Sequence, residues 1–183
     1  MATLSTTAWV LHDLGLAAGF RGNLFGQLAL NPSVKAIESR EQRGKVTHEA
    51  WDRYKLVNAV SLAAMASTWL IGRLVLSGRE VGRASRNVTL LKDGLVVGAV
   101  ASGLGALVTG TMLDTALAGD QPIESGHTPA PETSPRVARL QSVVNAVGIA
   151  NIILEASVLA VTTVLAMTSG RSRKWSFVSR LLP

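Results

Sequence analysis

Four long apolar stretches divide the chain, and each is long enough to cross a lipid bilayer as a helix. The pattern predicts membrane spans over residues 8–30, 51–76, 90–113 and 137–168. At 1.5 Å per residue, each of them covers a hydrocarbon core of about 30 Å. The third is the most uniform, because the twenty residues from Gly94 to Leu113 carry no charge. The first is the least apolar, since Asp13 and Arg21 interrupt it.

The stretches between the spans are short, so the sequence predicts one transmembrane domain over residues 1–183 with a basic tail at 169–183. Asn31-Pro32 is expected to end the first helix, because the residue before a proline disfavours helical geometry. Thr47 is the expected N-cap of the second span. Four prolines in residues 119–135 predict an irregular, mobile loop. The expected fold is an all-α, integral membrane four-helix bundle.

The charges between the spans predict the orientation. Residues 73–92 carry an excess of arginine, and residues 171–180 carry four basic residues and no acidic one. Residues 114–132 carry four acidic residues and no basic one. Because basic residues concentrate on the cytoplasmic side, both termini are expected there. Arginine outnumbers lysine and no cleavable leader is apparent, so the interpretation is a multi-pass protein of a bacterial plasma (inner) membrane.

Composition removes several classes of function. Of the 183 residues, 48% are hydrophobic and only 16% are charged, against roughly a quarter in soluble domains. The mean hydropathy is +0.31. There is no cysteine, which excludes disulfides, thiolate metal sites and cysteine nucleophiles. The net charge of +6 fits the positive-inside distribution, so a nucleic-acid partner is not expected.

Two similar tetrapeptides suggest an internal duplication. Val57-Asn58-Ala59-Val60 in the second span matches Val144-Asn145-Ala146-Val147 in the fourth. Two copies of an ancestral helix hairpin would be parallel repeats related by an axis along the membrane normal. Asn58 and Asn145 are then expected at equivalent depths.

Small and polar residues lie on different faces of the first span. Rotation by 100° per residue places four glycines on one face, where they permit close helix packing. Asp13, Asn23 and Gln27 are expected on the opposite side, with Arg21 at its flank. The third span has its own glycine series and is the expected packing partner. The glycines assigned to packing are Gly15, Gly19, Gly22, Gly26, Gly94 and Gly98.

Glu155 is the most informative polar residue, because fifteen uncharged residues flank it on each side. A charge at such depth usually pairs or faces water. Asn151 lies one turn earlier, and Arg21 lies at comparable depth on the first span. The simplest prediction is an Arg21–Glu155 ion pair supported by Asn151 and Gln27. Three roles stay open for it: a structural bridge, a proton- or ion-responsive polar site, or an interface with another membrane subunit.

Motifs for catalysis and cofactors are missing from the sequence. No P-loop, dinucleotide-binding glycine motif or zinc-protease motif occurs. His12, His48 and His127 are not placed at matched depths on facing helices, as transmembrane haem ligation requires. We therefore expect no catalytic residue, no cofactor and no metal, although a membrane enzyme with dispersed polar residues stays an alternative.

The opening helix resembles that of small, uncharacterised four-span bacterial membrane proteins. The resemblance rests on His12-x-Leu14-x-Leu16-Ala17, Gly22-x-Leu24-Phe25 and Asn31-Pro32. It covers one helix in four and implies a four-helix membrane bundle, with no functional residue attached.

The function expected first is a non-catalytic accessory or assembly component of a larger membrane complex. Small size, the absence of a catalytic constellation and the two non-lipid faces of the first helix favour it. Its partners would be the lipid bilayer and other membrane subunits, or a second copy of the chain. The alternatives are a small carrier or channel with a polar site at Arg21 and Glu155, and a small enzyme acting on a quinone or lipid.

Overall fold

The computed structural model describes residues 2–76, 83–117 and 121–169, which are mostly helical. Four long helices follow one another: α1 (Ala2–Phe25), α2 (Arg40–Ile71), α3 (Arg83–Leu117) and α4 (Pro135–Ser169). Within those ranges the only strand-like feature is an isolated bridge between Ile123 and Pro129. The all-α prediction is confirmed. The tail from residue 170 onward lies outside the described residues.

The helical path of α1 continues past Asn31, so the predicted end at Asn31-Pro32 is wrong. A π-helical turn (Gly26–Leu30), one α-helical turn (Asn31–Ser33) and a 3₁₀ turn (Val34–Ala36) extend it. The N–H of Asn31 donates to the oxygen of Gly26, the longer bond of a π turn. Pro32 then lies in the first turn of the next segment, where its missing N–H costs nothing.

α2 begins at Arg40, seven residues before the predicted cap at Thr47. The true cap is Ser39, whose hydroxyl oxygen accepts a hydrogen bond from the backbone N–H of Gln42 at 3.3 Å. Thr47 instead lies within the helix and is buried. The mixed-charge stretch before the second span thus belongs to α2, because a good cap upstream allows the helix to start early. At its other end, α2 continues into a π turn (Gly72–Leu76).

The helices form an antiparallel ring in which α1 packs on α2, α2 on α3, α3 on α4 and α4 on α1. One end of the bundle carries residues 31–39 and 121–134, and we call it the loop end. The opposite end carries the start of α1 and the end of α4, and we call it the terminal end. Residues of different helices that lie the same number of turns from one end of the bundle are therefore at the same level along its axis. This is what brings the polar side chains together.

The glycine face of α1 lies against α2. An ideal Cβ on Gly15 would stand 2.8 Å from the backbone oxygen of Ser61, and one on Gly22 or Gly26 would overlap the rings of Tyr54 or Trp51. The prediction that the third span is the partner of α1 is wrong, because the matching small residues, Ser61 and Ala64, are on α2.

The glycines of α3 face other helices. Gly98 packs on Leu154 of α4, at 3.4 Å from its ideal Cβ position, and Gly103 packs on Leu62 of α2. Gly94 is exposed, with no described atom within 4 Å of that position, so assigning it to helix packing is wrong.

Apolar side chains cover the outside of the bundle, and polar ones lie inside. Leu14, Leu56, Leu104 and Ile153 are among many large apolar residues that are exposed. Three helical stretches are long and apolar enough to cross a membrane, namely Arg40–Leu74, Asn87–Leu117 and Pro135–Leu165. α1 is not among them, because polar residues interrupt it on several turns. The three apolar helices and the apolar outer surface are consistent with a membrane protein.

The loop at residues 121–134 is irregular but packed, so the prediction of a mobile loop is wrong in this part. Ile123 is completely buried among Leu113, Leu117 and Val137. The side-chain amide of Gln141 donates to the backbone oxygen of Ser125 at 3.0 Å. The prolines limit regular structure, but an apolar anchor and satisfied backbone groups hold the loop in place.

Candidate functional site

Polar side chains from all four helices surround a cavity of about 100 Å³ near the loop end. That volume is room for about three water molecules at liquid density. Most of the polar groups come from α1 and α2, with fewer from α3 and α4. The polar side chains of the helices that line it include Asn23, Gln27, His48, Trp51, Tyr54, Lys55, Asn58, Asp114 and Asn145.

Asp114 of α3 is the charged centre of one wall. Its carboxylate is almost completely buried and contacts both the Lys55 ammonium and Nδ1 of His48. Lys55 also donates to Asp52 at 3.1 Å, on the exposed side of α2. This wall therefore carries a locally compensated carboxylate rather than a free charge.

Asn31 joins the cavity to the loop above it. Its backbone oxygen accepts from the N–H of Gly126 at 3.0 Å, and its Oδ1 accepts from Nε1 of Trp51 at 3.0 Å. Since an indole N–H can only donate, the amide group of Asn31 must face the other way, toward Nε2 of His127 at 2.9 Å. Nε2 of His127 is therefore the acceptor, and the ring is neutral in this arrangement.

We expect acid to loosen this connection, because burial lowers the pKa of His127 below its ordinary value. The folded state favours the neutral ring, so its contribution to stability is present above about pH 6.5 and is lost as the pH falls below that value. In detergent, the thermal midpoint of the wild type should fall between pH 7.5 and 5.5 by roughly 2–4 °C more than that of His127→Gln. Equal falls in the two proteins would contradict the assignment.

Gln27 and Asn145 hydrogen-bond across the cavity, the amide of Gln27 donating to Oδ1 of Asn145. Asn58 lines the same cavity from α2. Three of the residues that the sequence assigned to the polar site are thus brought together. Asn58 and Asn145 line the same cavity, but this shared position does not require an internal duplication.

Glu155 lies below the cavity, toward the middle of the bundle, and is 4% exposed. Asn23 donates to Oε2 at 3.4 Å, and Asn151 contributes a second side-chain hydrogen bond. Ser102 of α3 in turn donates to Oδ1 of Asn151 at 2.7 Å. Gly19 leaves room for the carboxylate, since a Cβ there would stand 3.0 Å from Oε1. Asn23 lines the cavity as well, so it links Glu155 to that space.

The predicted Arg21–Glu155 ion pair is wrong. Arg21 is exposed on α1, and it makes no ion pair within the described ranges. Glu155 faces Gly19 and Asn23, which lie on the inward side of the same helix. Two residues at equal depth can pair only when each lies on the side of its helix that faces the other. Arg21 is two residues away from both Gly19 and Asn23, so it lies on a different side of α1. Asp13 is likewise exposed, outside the cavity.

Several cavity residues were not assigned from the sequence, although a signal for them exists. His48, Trp51 and Lys55 were not assigned, but with the assigned Asn58 they follow 3-4-3 spacing and therefore share one face of α2. These three lie before the uncharged stretch 56–72 of the second span, so they look like interfacial residues. Asn31 and Asp114 carry no comparable spacing signal, because their partners come from other elements.

The arrangement suits hydrogen bonding more than catalysis. Amide, indole, phenol and imidazole groups offer both donors and acceptors around a small volume. No group of three or more histidine or acidic side chains in the described ranges could hold a metal ion. Comparison of the chain with protein-family models, curated proteins and solved structures gives no match.

Proposed function

We propose that the protein is a carrier for a small, polar, uncharged solute, and that the cavity near the loop end is its binding site. The observation that carries this proposal is the convergence of polar groups from four helices on one cavity, which continues through Asn23 to Glu155. Intramembrane polar groups are costly, so they usually serve a pathway or a site. An accessory subunit needs no such cavity.

In this proposal α1 is the fourth membrane span. Its hydropathy alone does not require this, but it packs along α2 and α4, and its polar residues Asn23 and Gln27 face the cavity rather than lipid. The basic residues of segments 73–92 and 171–180 favour a cytoplasmic location for the terminal end by the positive-inside rule. The cavity then lies on the outer side of a bacterial inner membrane.

The size and charge of the cavity define the class of solute. Asp114 is paired with Lys55 and contacts His48, and the other lining polar groups are neutral amides, hydroxyls and aromatic side chains. A space of about 100 Å³ admits a molecule of a few heavy atoms. Suitable probes are urea, acetamide and glycerol, each of which both donates and accepts hydrogen bonds.

The proposal is tested by uptake into proteoliposomes, followed by stopped-flow light scattering. We expect the wild type to accelerate entry of at least one probe over empty liposomes. Asn145→Leu, which removes a partner of Gln27 and narrows the polar lining, should reduce that entry at least tenfold. Asn87→Leu is the matched control, because Asn87 is exposed on α3 away from the cavity.

Glu155→Gln should fold normally and lose most of the uptake, because the amide keeps the shape but not the charge or proton of the carboxyl group. Glu49→Gln, at an exposed position on α2, should behave like the wild type. If no probe enters faster than in empty liposomes, the carrier proposal fails. The accessory or assembly role is then the better proposal, and purification in mild detergent with its partner subunits would test it.

A further inference from the structure

Below Glu155, the bundle contains a second polar level that the cavity does not reach. His12, Thr68, Lys92 and Thr162 come one from each helix, and each is at most 9% exposed. His12 lies seven residues from Gly19, and Thr162 lies seven residues from Glu155, each toward the terminal end. At 1.5 Å per residue, this level is about 10 Å from Glu155.

A purely apolar level separates the two. Leu16 of α1, Met65 of α2, Val96 and Ala99 of α3 and Val158 of α4 form one cluster and are at most 1% exposed. Val158 lies three residues past Glu155, between it and Thr162. Such a cluster excludes permanent water, so it acts as a barrier between the two polar levels.

The geometry of His12 makes its ring a proton acceptor. Nδ1 lies 3.2 Å from the backbone oxygen of Met65 and 3.2 Å from the hydroxyl of Thr68. A carbonyl oxygen only accepts, so Nδ1 carries the hydrogen that it receives. Nε2 is then unprotonated, and it is buried with no hydrogen-bond partner in the described structure. The hydroxyl group of Thr162 is also buried with no hydrogen-bond partner in the described structure.

Charged groups of both signs lie near His12. Lys92 of α3 and Asp13 of α1 both act on the ring, with opposite signs. The Nζ atom of Lys92 lies 4.5 Å from the centre of the Trp9 ring, at this level of the bundle. Around Glu155, Asn23, Asn151 and the Tyr54 hydroxyl supply polar neighbours, and no described cation lies within ion-pairing distance.

We infer that the protein moves protons between Glu155 and His12 across the apolar level, so that the proton is the ion coupled to solute movement. The Glu155 carboxyl gives its proton to transient water, Nε2 of His12 receives it from that water, and the Glu155 carboxylate takes up the next proton from water on the cavity side. The resulting imidazolium releases a proton toward the terminal end and returns to the neutral ring. No bond other than O–H and N–H changes. This inference rests on the proposed carrier function for the coupling, but not for the proton path itself.

The experiment measures proton entry with a pH-sensitive dye inside proteoliposomes, under a potassium diffusion potential, with and without the solute. The wild type should acidify the lumen faster when solute is present. His12→Asn keeps a side-chain donor for the Met65 oxygen but cannot carry a proton. It should slow acidification at least tenfold, while solute exchange at equal pH continues.

A second variant probes the apolar level. Val158→Thr keeps the shape of the side chain and adds a hydroxyl, so it should wet the barrier and raise proton entry without solute several-fold. Val143→Thr, at an exposed position on α4, is the matched control and should match the wild type.

The outcomes separate the two ideas. Solute uptake without any proton movement overturns the proton inference and leaves the carrier proposal standing. Proton movement that depends on His12 but not on any solute supports the proton path and rejects its coupling to a solute. If His12→Asn acidifies the lumen as fast as the wild type, the path through His12 is refuted. If the His12 variant does not fold, Val158→Thr replaces it, and unchanged proton entry in that variant would refute a proton path across the apolar level.

Discussion

Gly15→Leu is expected to destabilise the bundle by about 3 kcal/mol, the upper part of the range for an overpacked core. An ideal Cβ at Gly15 stands 2.8 Å from the backbone oxygen of Ser61, 3.0 Å from Cβ of Ala64 and 3.2 Å from the backbone nitrogen of Met65. Two of these atoms belong to the α2 backbone and cannot rotate away. A side chain at position 15 must therefore push α1 from α2 along their whole contact.

The comparison with other glycines makes the test specific. Gly94→Leu should be neutral or stabilising, by up to about 1 kcal/mol, because its surroundings are open and glycine is a poor helix former. The stability lost by Gly22→Ala should be intermediate between the losses of these two variants. The atoms that a Cβ would meet there belong to the end of the Tyr54 side chain, which can turn away.

These free energies are measured by titrating detergent-solubilised protein with SDS and following helicity by circular dichroism. If Gly15→Leu and Gly94→Leu lose the same stability, close packing of α1 on α2 is not what holds the helices together. Equal gains in both would have the same meaning.

The helical architecture follows from the sequence, because apolar length alone selects long helices, and the polar interruptions show which helix is least suited to lipid. The glycine face of α1 was also visible from its spacing. Its partner was not, because any helix with small residues on one face satisfies the same pattern. Only the structure shows that the small residues packed against this glycine face are Ser61 and Ala64 of α2.

Depth was easier to predict than direction. Residue counting approximates both polar levels: Gln27 and Asn145 share one, and Glu155 shares the next with Gly19 and Asn23 of α1. Arg21 shares that level but faces outward, so equal depth led to an ion pair that does not form. The cluster of Asp114, Lys55 and His48 was not predicted from the sequence for a different reason. Its three members lie near span ends, where charged residues usually face water.

The second large effect is expected at this cluster. Lys55→Met should destabilise the protein by about 3 kcal/mol, since it leaves the buried carboxylate of Asp114 without its main cation. His48 remains, but it compensates the charge only when it is protonated. The methionine side chain fills much of the space of the lysine stem, so the lost stability reflects the removed charge rather than an empty cavity.

Lys55 provides its own control, because it also contacts the exposed carboxylate of Asp52 at 3.1 Å. Asp52→Asn should cost less than about 1 kcal/mol, as is usual for an ion pair open to solvent. Lys55→Met combined with Asp114→Leu should cost clearly less than the sum of the two single changes, by at least about 1.5 kcal/mol, because the double variant leaves no unpaired charge in the wall. Strict additivity in SDS titrations would mean that Lys55 does not compensate the charge of Asp114. The cavity would then carry an uncompensated negative charge, and its solute would have to be a cation rather than a neutral molecule.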